Sequence, residues 1–307
     1  MNKRLHGIVP PMATPLRDRD ALDFGGLERL VEHIISGGVS GLFILGTTGE
    51  GPSLSYRLRR ELIERVCRQV TQRVPVLVGI TDTSFVESVS LARHAGNCGA
   101  DAVVLAPPYY LPEAQPELQE YLEHLVPELP LPLFLYNMPP LTKVTIEPAT
   151  VRRAMDNPRI VGLKDSSGDL DYFRQVASLL PARADWSLLI GPEETLFAAL
   201  EAGGHGGVSG GANVFPKLYA QLFAAFCSGD LARARELQVQ VQHVSSSLYR
   251  IGRHSSSVIK GIKCALACLG ICDDFMAEPF HRFRADERAL VERHVKDLEA
   301  ALATLNL

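Results

Sequence analysis

The feature that most restricts the fold is an alternation. Short apolar, β-branched runs ending in Gly, Pro, Thr or Asn take turns with longer amphipathic stretches. That order marks a parallel sheet with helices outside, because parallel neighbours need a long crossover and the crossover is usually a helix. Eight runs can be counted: GIVPPM (7–12), GLFILG (41–46), VPVLVGI (74–80), DAVVLAP (101–107), LPLFLYN (131–137), IVGLKD (160–165), WSLLIG (186–191) and GGVSG (206–210). Helical patterns such as FGGLERLVEHIISGG, YRLRRELIERVCRQV and FVESVSLARHAGNCG lie between them, several closed by Gly, where a left-handed cap is easiest. Eight strand–helix units close a barrel. An open doubly wound sheet usually carries a Gly-rich turn after its first strand, and GIVPPMATPL has none. The expectation is an α/β fold, a (β/α)8 TIM barrel with a C-terminal helical extension. Residues 1–214 would form the barrel core. Residues 215–307 would supply the final barrel helix and the extension, within one structural unit and as an appendage rather than a catalytic domain.

Composition narrows the partners. At 307 residues, with 46% hydrophobic and 21% charged side chains, the chain can bury a sizeable core. A net charge of -4 and a pI of about 6.2 argue against nucleic acid or an anionic membrane as the partner. A small molecule or another copy of the chain is expected instead. No apolar run reaches the roughly 18 residues of a membrane span, no signal-peptide pattern opens the chain, and the expected location is cytoplasmic. Cys264, Cys268 and Cys272 recur every fourth residue, which reads as a buried helical stripe rather than a metal or redox site. His205 has no partner at metal-ligand spacing, and Gly203, Gly204, Gly206 and Gly207 lack the Lys-Ser/Thr of a phosphate loop. The glycines read as tight packing at the end of the barrel. Neither a metal nor an organic cofactor is expected.

Barrel enzymes keep their chemistry where strands end at the C-terminal mouth. Reading only those positions, the mouth collects Thr47, Thr48 and Glu50 after the second run, Tyr109 and Tyr110 after the fourth, and Tyr136 and Asn137 at the end of the fifth. Lys164 closes the sixth. An amine at the rim of a packed barrel can be desolvated and its free base presented to a carbonyl, which is what imine formation needs. The plainer alternative is a lysine that turns out to solvent. Imine chemistry also needs a proton shuttle, and Tyr136, ending the neighbouring strand, suits that role. A half-buried tyrosine with its hydroxyl in water is the alternative there. In GTTGE, small residues let backbone amides and two hydroxyls approach a carboxylate closely.

Five segments, GLFILGTTGE, APPYY, LFLYNMPP, GLKDSSGD and GGHGGVSGGANV, occur in the order and spacing of the dihydrodipicolinate synthase / N-acetylneuraminate lyase family, which the chain resembles through most of the barrel. The resemblance implies a class I aldolase in which Lys164 holds pyruvate as an imine and Tyr136 is the acid/base. It assigns Thr47 and Thr48 to carboxylate binding and proton relay. Tyr110 resembles the family tyrosine that reaches into a neighbouring subunit's site, which implies a homotetramer built as a dimer of dimers. Gly191 and Val208 would line the pyruvate pocket. Synthases of the family carry an arginine five residues after the active-site tyrosine to grip aspartate semialdehyde, and this chain has Leu141 there. Losing a bidentate guanidinium is not conservative. Leu141 resembles instead the neuraminate-lyase and sugar-acid members, with Lys143 a conceivable substitute cation. Ser166, Glu193 and Glu194 fall where such lyases present polar groups to substrate hydroxyls. Gly51, Pro52, Tyr56 and Arg59 do not resemble the lysine-feedback set of some synthases. The expected substrates are pyruvate and an aldehyde or sugar acid. Dihydrodipicolinate synthesis, a dehydratase acting through the same imine, and an inactive barrel kept for binding remain as alternatives.

Overall fold

The computed structural model describes residues 4–305 and 307. Its strands in chain order are β1 (Gly7–Ile8), β2 (Leu16–Asp18), β3 (Ala21–Leu22), β4 (Leu42–Ile44), β5 (Val76–Gly79), β6 (Ala102–Leu105), β7 (Leu133–Asn137), β8 (Ile160–Asp165), β9 (Ser187–Ile190) and β10 (Gly206–Gly207). All but β2 and β3 form one parallel sheet in the order β1-β10-β9-β8-β7-β6-β5-β4. The ring closes through a parallel bridge between Pro11 and Phe43, with Met12 N donating to Phe43 O at 2.8 Å and Phe43 N to Pro10 O at 3.0 Å. The structure is therefore a (β/α)8 barrel. Each of the eight expected strands is present, and all but β8, which spans its whole run, are shorter than their apolar runs. The first shrinks most, because Pro10 and Pro11 have no N–H to give a ladder.

Alternation along the strands divides the interior from the helical shell. Phe134 and Tyr136 of β7 point into the barrel with Phe43, Val104 and Leu189, whereas Leu133 and Leu135 pack outward against helices. Gly162 precedes Lys164 on the same face of β8, and a Cβ at Gly162 would lie 2.4 Å from the Phe134 ring. That missing side chain leaves room for the phenylalanine beneath the lysine. At the seam between β1 and β10, a Cβ on Gly206 would meet Gly7 O at 1.9 Å, which fits the tight-packing reading of the glycine cluster. His205 is neutral there: burial pushes it down to about 4, with Arg4 and His6 adding, and its Nδ1 accepts from Leu188 N at 3.0 Å.

Several local readings need correction. The antiparallel hairpin β2–β3 lies outside the barrel and was not expected. MPPLTK contains a short helix, Pro139–Thr142, closed by Lys143 in the left-handed region at φ 65°. The cysteine stripe is incomplete: the helix Ser257–Cys268 ends before Cys272, with Gly270 at φ 71° turning the chain. Beyond β10 the long elements are the helices Pro216–Cys227, Leu231–Leu248, Ser257–Cys268 and Ala285–Thr304. Among the described residues no helix is long and apolar enough to cross a membrane.

Candidate active site

A cavity of about 560 Å³ opens at the C-terminal mouth of the barrel. Lys164, on β8, lies at its base and is 6% exposed. The register pairs Lys164 with Tyr136 on β7, so both side chains enter the barrel at one level. The lysine Nζ stands 4.0 Å from the centroid of the Tyr136 ring and 5.0 Å from that of Phe43. Tyr136 OH lies 3.3 Å from Thr47 Oγ1, and either group can donate. Burial pushes the Tyr136 phenol up. The Lys164 charge and hydrogen bonds from Thr47, Ser166 and Lys164 outweigh that and hold the phenol below its ordinary value. A phenol that ionises more readily beside an amine can both give and take a proton at a carbonyl held between them.

Thr47 and Thr48 are held on a loop bracketed by two strained residues. Leu45 and Glu50 both adopt positive φ, 60° and 55°, which costs non-glycine residues energy and fixes the turn between them. Gly51 and Gly79 make that turn possible, since a Cβ on either would lie 2.2 Å or 2.5 Å from Leu45 O. Thr14 Oγ1 donates to Gly49 O at 2.7 Å from below. Thr47, Thr48, Leu141, Ser166, Gly191, Glu194 and Val208 all line the cavity with Lys164 and Tyr136. Gly191 has no freedom to be larger, because its Cβ would meet Ser166 Oγ at 2.0 Å.

Other expected site residues are placed differently. Glu193 reaches the cavity wall, yet its carboxylate is already committed: Oε1 accepts from Tyr219 OH at 2.6 Å and Tyr249 OH at 2.9 Å, and Oε2 from Gly211 N at 2.9 Å. Burial pushes this carboxyl up to about 7 despite those donors. It braces the wall rather than offering itself to a substrate hydroxyl, which leaves Glu194, exposed, as the free carboxylate of the pair. Tyr110 is 82% exposed and lies not in the cavity but on a separate groove with Phe85, Leu111, Glu113 and Tyr121; Tyr109 does not line the cavity either. Glu50 turns away to an ion pair with Lys263, 2.6 Å long and buried on both sides, and accepts from Ala277 N at 2.8 Å. Asn137 serves the scaffold, donating to Asp165 Oδ1 at 2.8 Å and accepting from Ile146 N at 3.0 Å. Lys143 Nζ is tied to Pro140 O at 2.8 Å and is absent from the cavity wall, so it supplies no substitute cation. Arg59 forms a buried pair with Asp82 at 3.0 Å, to which Tyr56 also donates.

The extension is more than an appendage. Tyr249, Ser255, Ser256, Val258, Ile259 and Phe280 form part of the cavity wall. Strand-end reading could not find them, because they come from helices and turns distant in sequence. The one signal they carried was SSSV, serines ahead of an apolar helix, an N-terminal pattern.

The model of the dihydrodipicolinate synthetase family matches residues 4–298. The chain belongs to that family. The dihydrodipicolinate synthase structure from Bacteroides thetaiotaomicron superposes with a TM-score of 0.94 at 53% identity, covering 97% of this chain and 100% of that one. The 4-hydroxy-tetrahydrodipicolinate synthase of Methanopyrus kandleri is 32% identical over 300 residues, 97% of this chain and 98% of its own. A probable 2-dehydro-3-deoxy-D-pentonate aldolase of Escherichia coli (strain K12) is also 32% identical, over 88% of this chain and 89% of its own. This dihydrodipicolinate synthetase family member is accordingly a pyruvate-dependent, imine-forming lyase, on relatives that include both synthases and an aldolase.

Proposed function

We infer that the enzyme makes or breaks a C–C bond between pyruvate and an aldehyde derived from a sugar acid, with Lys164 as the imine-forming amine. In the cleavage direction the Lys164 amine adds to the C2 carbonyl, and Tyr136 gives the proton with which water leaves. The phenolate then takes the proton of the C4 hydroxyl. As C3–C4 breaks, the electron pair passes into the iminium, and the enamine is later protonated and hydrolysed to pyruvate. Thr47 links the phenol to the loop, and Thr47 and Thr48 face the pyruvate carboxylate. Gly191, Val208 and Ser166 shape the space around C3. The single observation that carries this reading is the pairing of Lys164 with Tyr136 at the base of one cavity, the phenol being held below its ordinary value.

The second substrate is read from the upper wall. Leu141 lies on it, 49% exposed, and among the described residues Lys164 is the one cationic side chain lining the cavity. Aspartate semialdehyde would find no guanidinium near Leu141 for its carboxylate, whereas Glu194 and Ser166 can meet hydroxyls. The similarity to a pentonate aldolase favours the same choice. Similarity to synthases keeps dihydrodipicolinate synthesis as the second reading. Borohydride reduction with pyruvate, followed by mass spectrometry, should mark the Lys164 peptide in the wild type and not in Lys164→Ala. A coupled assay with pyruvate and aspartate semialdehyde should show little turnover, and brisk turnover would overturn the substrate reading.

A homotetramer built from dimers, with Tyr110 supplied across an interface, belongs to the same proposal. Its support is the exposure of Tyr110 and Leu111, 82% and 74%, beside buried polar atoms of Glu113 and Tyr121 that have no hydrogen-bond partner among the described residues. Such a patch is costly to leave facing water.

A further inference from the structure

The cavity is larger than pyruvate requires, and part of its wall is built by the turn Tyr249–Ser256 and the first turn of the helix Ser257–Cys268. Ser256 holds the N-cap position of that helix and is 7% exposed, yet its hydroxyl caps nothing. The reason is conformational. An N-cap serine reaches the first-turn amides from an extended backbone, whereas Ser256 is already helical at φ −63° and ψ −13°. Among the described residues its hydroxyl has no hydrogen-bond partner, and the residue lines the cavity. Among the described residues, the amides of Val258 and Ile259 also lack an acceptor, and both residues line the same wall. Ser257 N, by contrast, is satisfied by His254 O at 2.9 Å.

Free amides at the start of a twelve-residue helix, joined by an unpartnered and nearly buried hydroxyl, form a place for an oxyanion. The local charge has the right sign. The segment Tyr249–Gly261 contains Arg250, Arg253, His254 and Lys260 and no acidic residue. Arg250 and Arg253 are exposed and, among the described residues, have no carboxylate partner. The acids that do touch the cavity are accounted for: Glu50 is paired with Lys263, Glu193 is held by three donors, and Glu194 stands in solvent.

We propose that this wall of the cavity binds a terminal oxyanion of the sugar-acid substrate, a phosphate or a second carboxylate, on Ser256 Oγ and the amides of Val258 and Ile259. This deepens the reading of Lys164 as an imine former and rests on it. The substrate would carry its C1 carboxylate at Thr47 and Thr48 and a second anionic group at the opposite end, with its hydroxyls between. A neutral sugar acid would leave the helix amides unanswered.

The test uses the full-length enzyme and three six-carbon 2-keto-3-deoxy acids ending in a hydroxyl, a phosphate or a carboxylate. Borohydride trapping on Lys164 gives the half-saturating concentration of each, and pyruvate is trapped in parallel. One of the anionic acids should trap at roughly tenfold lower concentration than the neutral one, the gain expected for hydrogen bonds to a charged group. Which anion it is names the source. Ser256→Ala should shrink the ratio, and Ser256→Asp should abolish or invert it, because its carboxylate would repel a second anion at that wall. Circular dichroism and the urea midpoint of that variant separate loss of the ratio from loss of fold. Equal trapping of all three acids, a preference for the neutral acid, or no trapping of any while pyruvate still traps would overturn the proposal and leave the imine reading intact. Failure of pyruvate itself to trap would remove the imine reading, and this proposal with it.

Discussion

Tyr136 and Lys164 share one rung of the sheet, so a change at either alters the charge felt by the other. Replacing Tyr136 by Phe keeps the packing and removes the proton relay. We expect kcat to fall by about 10²–10⁴-fold, with imine trapping slowed rather than abolished, in steady-state and single-turnover assays. Glu193 gives a different pH signature. Its folded carboxyl is raised from the ordinary 4.5 to about 7, chiefly by burial, so the folded state holds that proton more tightly than the unfolded chain. Stability from this group is fully present below about 4.5 and is lost as the pH rises through about 7. Urea midpoints of the wild type relative to Glu193→Gln should therefore decline across that window, and a flat difference would contradict the burial argument. Leu141→Arg tests specificity at one position: a guanidinium there should raise kcat/KM for aspartate semialdehyde without restoring any trap in Lys164→Ala.

Between elements, the mouth is stitched to the extension by a few buried polar links. Lys263, on the helix Ser257–Cys268, meets Glu50 on the loop after β4, and Gln238, on the helix Leu231–Leu248, donates to Glu193 O at 3.0 Å. Breaking a buried ion pair leaves one charge uncompensated, so Lys263→Ala should cost about 3–5 kcal/mol in urea unfolding. Because Glu50 fixes the turn that carries Thr47 and Thr48, the same variant should also weaken pyruvate trapping. The helices Phe24–Ser36, Tyr56–Val70 and Phe85–Asn97 were legible in the sequence from their amphipathic pattern, and the structure adds caps at Asp23, Ser55 and Ser84, which each accept from a first-turn amide. The hairpin β2–β3 and the helix Pro139–Thr142 were not legible, since elements of two to four residues offer too few positions for a period to show.

At the scale of the molecule, Tyr110 and its groove face solvent in the single chain. Sedimentation equilibrium should give a tetramer for the wild type and smaller species for Tyr110→Asp, and a wild-type monomer would remove the interface reading. The sequence by itself determined the barrel, because eight apolar runs separated by helical stretches admit few other closed arrangements, and it determined that Lys164 and Tyr136 end neighbouring strands. Position at a strand end is a local property, so it can be read locally. Which side chains remain free for a ligand is not local. Glu193, Glu50 and Asn137 all sat at expected mouth positions, and only tertiary partners, Tyr219 and Tyr249, Lys263, and Asp165, decided that they serve the scaffold. The same holds in reverse for Ser256, a routine helix-start serine in sequence whose helical backbone leaves its hydroxyl capping nothing and whose place in the fold is the cavity wall. A polar group's role depends on whether its hydrogen bonds are already satisfied, and that depends on residues brought together only by the closed barrel.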